Sequence, residues 1–185
     1  MSKLQDRGKA LEDKFFQEQE AKALLLLQEQ IKKQEIQKSI AEHTGISNEA
    51  VIASIVKQGI SVESFVAIRL IPLVLMSWAS GSVESAEREA IHNHMFDKGI
   101  QKDSPTHVMV DGWLSSKPDA DLENSWADFV QEYTKTLSDA DKKSFVAEIL
   151  GNADDVANAA GGFWGFGAVS EGQQALLERL HGLLS

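Results

Sequence analysis

The sequence predicts an all-α fold, a bundle of about seven helices preceded by a long N-terminal helical extension, and three observations carry that expectation. Residues 2–40 are rich in Gln, Glu, Lys and Leu, contain no proline and meet a single glycine, Gly8, which favours one long helix. Further on, apolar residues recur at helical spacing between short stretches that pair an N-cap residue with proline or a capping partner, as at Ser104-Pro105, Ser138…Asp141 and Ser170…Gln173. Between these lies Phe65 to Ala79, whose apolar side chains point in nearly every direction around a helix, the pattern of a buried central segment.

The 185 residues suit one helical domain, residues 44–185, with an appendage, the arm of residues 1–40. Without cysteine there are no disulfides, thiolate metal sites or cysteine catalysis, which fits a reducing compartment. The N-terminus is charged from the start and lacks the apolar core of a signal peptide, so a cytoplasmic location is expected. Phe65 to Ala79 contains Arg69 and Pro72 and falls short of the roughly 20 residues a bilayer requires, so no membrane insertion is expected. The formal net charge is −10, and residues 1–40 hold eight of the 18 basic and seven of the 28 acidic residues. The body is therefore strongly acidic and would repel a phosphate backbone, which argues against nucleic acid as a partner.

Taken in order, the arm carries Leu4, Leu11, Phe15, Leu25, Ile31, Ile36 and Ile40 at loose spacing, plus an apolar block at Leu24 to Leu27. A helix of this kind must pack on something, either the body, a second copy in a homodimer, or an unknown protein partner. Residues 48–58 form a short helix, with Ser47 expected as N-cap and Gly59 ending it in a left-handed conformation. A helix-turn-helix DNA reader is disfavoured there, since Lys57 is the one cation of the short helix. At Pro72 the central segment either kinks or restarts as a new helix with proline in its first turn.

Ala79-Ser80-Gly81-Ser82-Val83 then turns the chain, and Glu84-Ser85-Ala86-Glu87 opens the next helix with capping-box spacing and Val83 as a staple. An apolar helix followed by Trp78, Gly81, Val83 and Glu87 resembles the signature of the TerB-like (tellurite-resistance protein B-like) helical superfamily, in softer form over residues 60–185. The resemblance implies an all-helical bundle with two paired turns, and acidic residues in those turns that bind a divalent cation such as calcium. The second turn would be Trp164-Gly165-Phe166-Gly167-Ala168-Val169-Ser170-Glu171-Gly172-Gln173, which repeats the first at an offset of 86. Ser80 stands where the family has Asp, and Gln173 stands opposite Glu87, so Glu84 and Glu87 remain as the metal-ligand candidates. Acids at a helix start are also favoured by the dipole alone, which gives both a structural reading. A shorter resemblance, DRGKALEDKFFQEQE at residues 6–20, is to the opening of the zeta-type inhibitor subunit of bacterial F-type ATP synthases, and implies an ATPase-regulating arm as an alternative.

The helix from Glu84 to about Lys98 carries His92 and His94, which two residues apart point about 200° from each other and cannot chelate one ion together. His107 and Asp111 share a face of the helix that Ser104-Pro105 opens; with Asp103 and His94 they could assemble a zinc site, or they could simply form a surface hydrogen-bonded pair. Asp119 or Asp121 caps a helix to about Leu137 that buries Leu122, Trp126, Phe129, Val130 and Tyr133. Another helix follows Ser138 and continues through Gly151 to Ala160, and the last, Ser170 to Leu184, closes the bundle. Gly161 to Gly167 fits no phosphate-loop or dinucleotide motif and is expected to be a turn, with Phe163, Trp164 and Phe166 plugging the core.

No nucleophile elbow, metalloprotease pair, phosphate loop or kinase signature is present, so no catalytic residue is expected. The function expected is a non-enzymatic interaction or scaffolding module in bacterial stress or envelope physiology, with a divalent-cation module as the alternative.

Overall fold

The computed structural model describes the backbone of residues 3–160 and 169–184, and the side chains of residues 12, 14–159 and 169–184. Among these residues it is all-helical. The order is α1 (Lys3–Thr44), α2 (Glu49–Lys57), a 3₁₀ helix (Phe65–Arg69), α3 (Ile71–Trp78), α4 (Ser85–Asp97), α5 (Pro105–Ser115), α6 (Ala120–Thr136), α7 (Asp139–Ala160) and α8 (Glu171–Leu184). None of the described helices is long and apolar enough to cross a membrane. The glycine cluster at 161–167 lies outside the described residues, as does the Trp164 end of the second turn.

The core is built around α3, which packs against α4, α5, α6, α7 and α8. Ile71, Leu73, Val74 and Met76 are completely buried, each contributing about 1.5–3 kcal/mol through removal from water. At Pro72 the chain restarts: the 3₁₀ helix ends and α3 begins with the proline in its first turn. Proline has no N–H to give the carbonyl four residues back, that of Ile68. The indole N–H of the buried Trp126 donates to that carbonyl instead, at 2.9 Å. A helix break in the middle of the core is thus compatible with full hydrogen bonding.

Caps follow local chemistry, with one correction. Asn48, not Ser47, starts α2: its side-chain oxygen accepts from the N–H groups of Ala50 and Val51. Both residues are good caps, and the helix begins one residue later than Ser47 would set it. Gly59 takes φ +85° after α2, as a left-handed helix end requires. Asp119 caps α6, and Ser138 accepts from the Asp141 N–H at the start of α7.

Among the described residues the arm is buried against the body at its C-terminal end, and from Glu29 onward it borders a groove with Val56, Gly59 and Ile60. By the rise of an α-helix, the 42 residues of α1 span about 63 Å. Ile40 and Thr44 are buried and Ile36 is half-buried, whereas residue 12 and residues 14–35 are all exposed. Thr136 ties this end down by donating its hydroxyl to the Thr44 carbonyl at 3.1 Å.

Candidate functional site

The two helix starts that the sequence pairs at an offset of 86 meet in space. At the first, Ser80 donates to the Ser82 carbonyl, Gly81 takes φ +104° and Val83 packs on the core, so the turn is held by its own small residues. Glu84 is exposed at the N-cap of α4, and Glu87, fully buried, accepts from the Glu84 N–H at 2.9 Å through Oε2. At the second start, Ser170 and Gln173 form a reciprocal capping box at the head of α8. The amide of Gln173 then donates to Oε1 of Glu87 at 3.0 Å. Corresponding positions of the two turns are therefore bonded to each other across the interior.

Charge explains why one partner is an amide. Two carboxylates at this distance in a buried place would repel, while a glutamine offers a donor on one side and an acceptor on the other. Burial pushes the Glu87 carboxyl above its ordinary value, against the opposing pull of the Glu84 N–H and the Gln173 amide. The close approach is set by Gly172: a Cβ there would overlap the backbone carbonyl of Ala79. Glycine is costly inside a helix, and here the missing side chain is what lets α8 reach the turn after α3.

A second cluster lies further along α4. His107 and Asp111 share a face of α5 as their spacing dictates, with His107 Nδ1 3.8 Å from Asp111 Oδ2. Their partner is His92, whose Nε2 lies 2.7 Å from Asp111 Oδ1 and whose ring stacks on that of His107 with centroids 5.6 Å apart. His94 points elsewhere, with its Nε2 3.3 Å from the Asn152 amide nitrogen, and burial together with the nearby Lys98 holds it below the ordinary histidine range. Asp103, in a left-handed turn at φ +63°, is not among the residues that converge with His107 and Asp111. The sequence separates His92 from His94 but does not say which faces α5. That depends on Ile91 and Met95, whose burial fixes the rotation of α4.

Sequence reasoning missed a third feature, a cleft of about 400 Å³ walled by Phe65, Phe129, Tyr133 and Phe145. At its edge Glu148 accepts from Lys98 at 2.6 Å and from Arg69 at 2.7 Å, and Arg69 lies over the Phe145 ring. Burial alone would raise the Glu148 carboxyl, but Lys98 and Arg69 outweigh it and hold the group below its ordinary value. The lining comes from elements far apart in sequence, so no local motif announces it.

The arm is the fourth feature. Phe15, Phe16, Leu24, Leu25, Leu26, Leu27 and Ile31 are between 47% and 63% exposed. Leu24, Leu27 and Ile31 follow i, i+3, i+7 and share one face, turned roughly 165° from the Ile36–Ile40 face that docks on the body.

Comparison of the chain with protein-family models, with curated proteins and with solved structures gives no match.

Proposed function

We propose that the chain is a non-enzymatic protein-interaction module: a TerB-like helical body, acting in bacterial stress or envelope physiology, that presents its N-terminal helix to a protein partner or to a second copy of itself. The observation that carries this reading is the apolar arm. Seven large apolar side chains stand half-exposed on a helix whose buried residues, among those described, lie at its C-terminal end. Covering what each still exposes would contribute on the order of 1 kcal/mol, a gross gain large enough to offset part of the cost of association. A lone helix so exposed has little intrinsic stability, and a covering helix would supply it.

The TerB-like part of the reading draws support from the bond between Glu87 and Gln173, since two helix starts of matching pattern then meet in the interior. The cation alternative at Glu84 and Glu87 draws less, because both Glu87 oxygens already accept hydrogen bonds.

A photo-crosslinking residue in place of Leu27, in the full chain in its native cell, tests the proposal. It is expected to give a defined adduct with a protein partner or a second copy, while the same residue in place of the exposed Asp128 on α6 gives none. No adduct at Leu27, or the same products from both positions, would contradict it.

A further inference from the structure

We propose that His92, His107 and Asp111 form a site for one divalent transition-metal cation of the zinc class, which clamps α4 to α5. Two imidazoles and a carboxylate each place one candidate ligand atom so that all lie within 4.8 Å of one another. Three protein ligands of this kind hold zinc-class metals while leaving a further position for water.

The ligands are set on rigid elements. Each follows a buried residue on its helix: Ile91 before His92, Thr106 before His107, Val110 before Asp111. The backbone at all three is thereby anchored to the core, and the side chains emerge at its edge. α5 is fixed further by its Ser104 cap and Pro105 start. The side chains are partly open, His107 at 15% exposure and His92 and Asp111 at 36% and 39%, so a cation could enter without the core opening.

The hydrogen bonds among the three residues leave one ligand atom unused. The His92–Asp111 bond is satisfied by two residues, and His107 adds little to it, since 3.8 Å to the carboxylate exceeds a hydrogen bond. The stacked rings bring a second imidazole beside the first, with a nitrogen of each and a carboxylate oxygen close to one another. Arg88, one turn before His92, donates from Nη2 to the Leu114 carbonyl at 2.7 Å, which directs its guanidinium to the end of α5. Imidazole ligands favour transition metals over calcium and magnesium, which take oxygen ligands. The site is separate from Glu84 and Glu87 and does not depend on the arm.

Isothermal titration of the full-length chain with zinc tests it. One equivalent is expected to bind; His107→Ala and Asp111→Asn are each expected to bind at least about tenfold more weakly, whereas His94→Ala binds as the unmodified chain does. Calcium is expected to give no binding at the same concentrations. Cobalt absorption on the unmodified chain needs no substitution, and is expected to show the visible bands of an imidazole-ligated ion. No zinc binding, unchanged affinity in both ligand variants, equal binding of calcium, or a cobalt spectrum identical to cobalt in buffer would each overturn the proposal.

Discussion

Leu73 in α3 and Leu27 in α1 are the same residue in helices of one chain, yet the first is fully buried and the second is 52% exposed. The difference runs through the whole molecule. In the body, apolar faces close on one another, and no buried side-chain polar atom among the described residues lacks a hydrogen-bond partner. Even the gap left by Pro72 is filled, by Trp126. In the arm, Phe15, Phe16, Leu24 to Leu27 and Ile31 are each 47–63% exposed, and the residues that pack on the core, among those described, lie at its C-terminal end, as Ile36 and Ile40 do. The described body buries its apolar faces against itself; on the proposed reading the arm supplies half of an interface. Substitutions in the body should therefore cost stability, and those in the arm should cost association.

The strongest challenge to the body is Gly172→Ala. Its methyl would meet the backbone of Ala79, which cannot move like a side-chain tip, so α8 must back away from the core. A loss of about 3 kcal/mol or more is expected in urea denaturation, beyond the usual overpacking range, and an unchanged midpoint would show that the two segments are not closely packed.

Next come the paired helix starts. Glu87→Ala and Gln173→Ala should each cost about 1–3 kcal/mol, since each leaves a buried group without its partner. The double variant should cost less than the sum, by about 0.5–2 kcal/mol of coupling. Additivity would mean that the 3.0 Å contact does not join the two turns.

Acid titration sharpens the contrast within the body. The folded state holds the Glu87 carboxyl above its ordinary 4.5, so that group's stabilising contribution is complete below 4.5 and is lost as pH rises through the folded value. Glu148 is held below 4.5, so its contribution is present above 4.5 and is lost as pH falls through the folded value. Glu148→Gln is expected to remove about 0.5–1 kcal/mol at neutral pH and to flatten the loss of stability on acidification. Glu87→Gln should flatten the opposite slope. Denaturation midpoints at several pH values check both signs, and parallel pH profiles for the two variants would refute the assignments.

Much of the fold was legible because its signals are local. The long proline-free N-terminus, the caps at Ser104, Asp119, Ser138 and Ser170, and the glycine at 59 each depend on a few neighbouring residues. Where two local solutions were nearly equal, as with Ser47 and Asn48, the choice fell to the next residue. The candidate sites were legible in halves. Helical spacing put His107 and Asp111 together, but their third member required the rotation of α4, which Ile91 and Met95 set by burial. The offset of 86 announced two matching turns without announcing that Glu87 and Gln173 would touch. The aromatic cleft left no trace, because its walls come from separated helices and only packing brings them together.

The smallest expected effect on stability carries the central claim. Replacing Leu24, Leu27 and Ile31 together by Gln removes one apolar face of α1 while keeping good helix formers, and should change the body's unfolding midpoint by less than about 0.5 kcal/mol. The decisive measurement compares this variant with the unmodified full-length chain in sedimentation and in affinity capture from the native cell. The account expects equal stability, but loss of the self-association or of the captured protein that the unmodified chain shows. If the variant kept the same oligomeric state and captured the same proteins, the arm would not be the binding surface and the proposed function would be wrong.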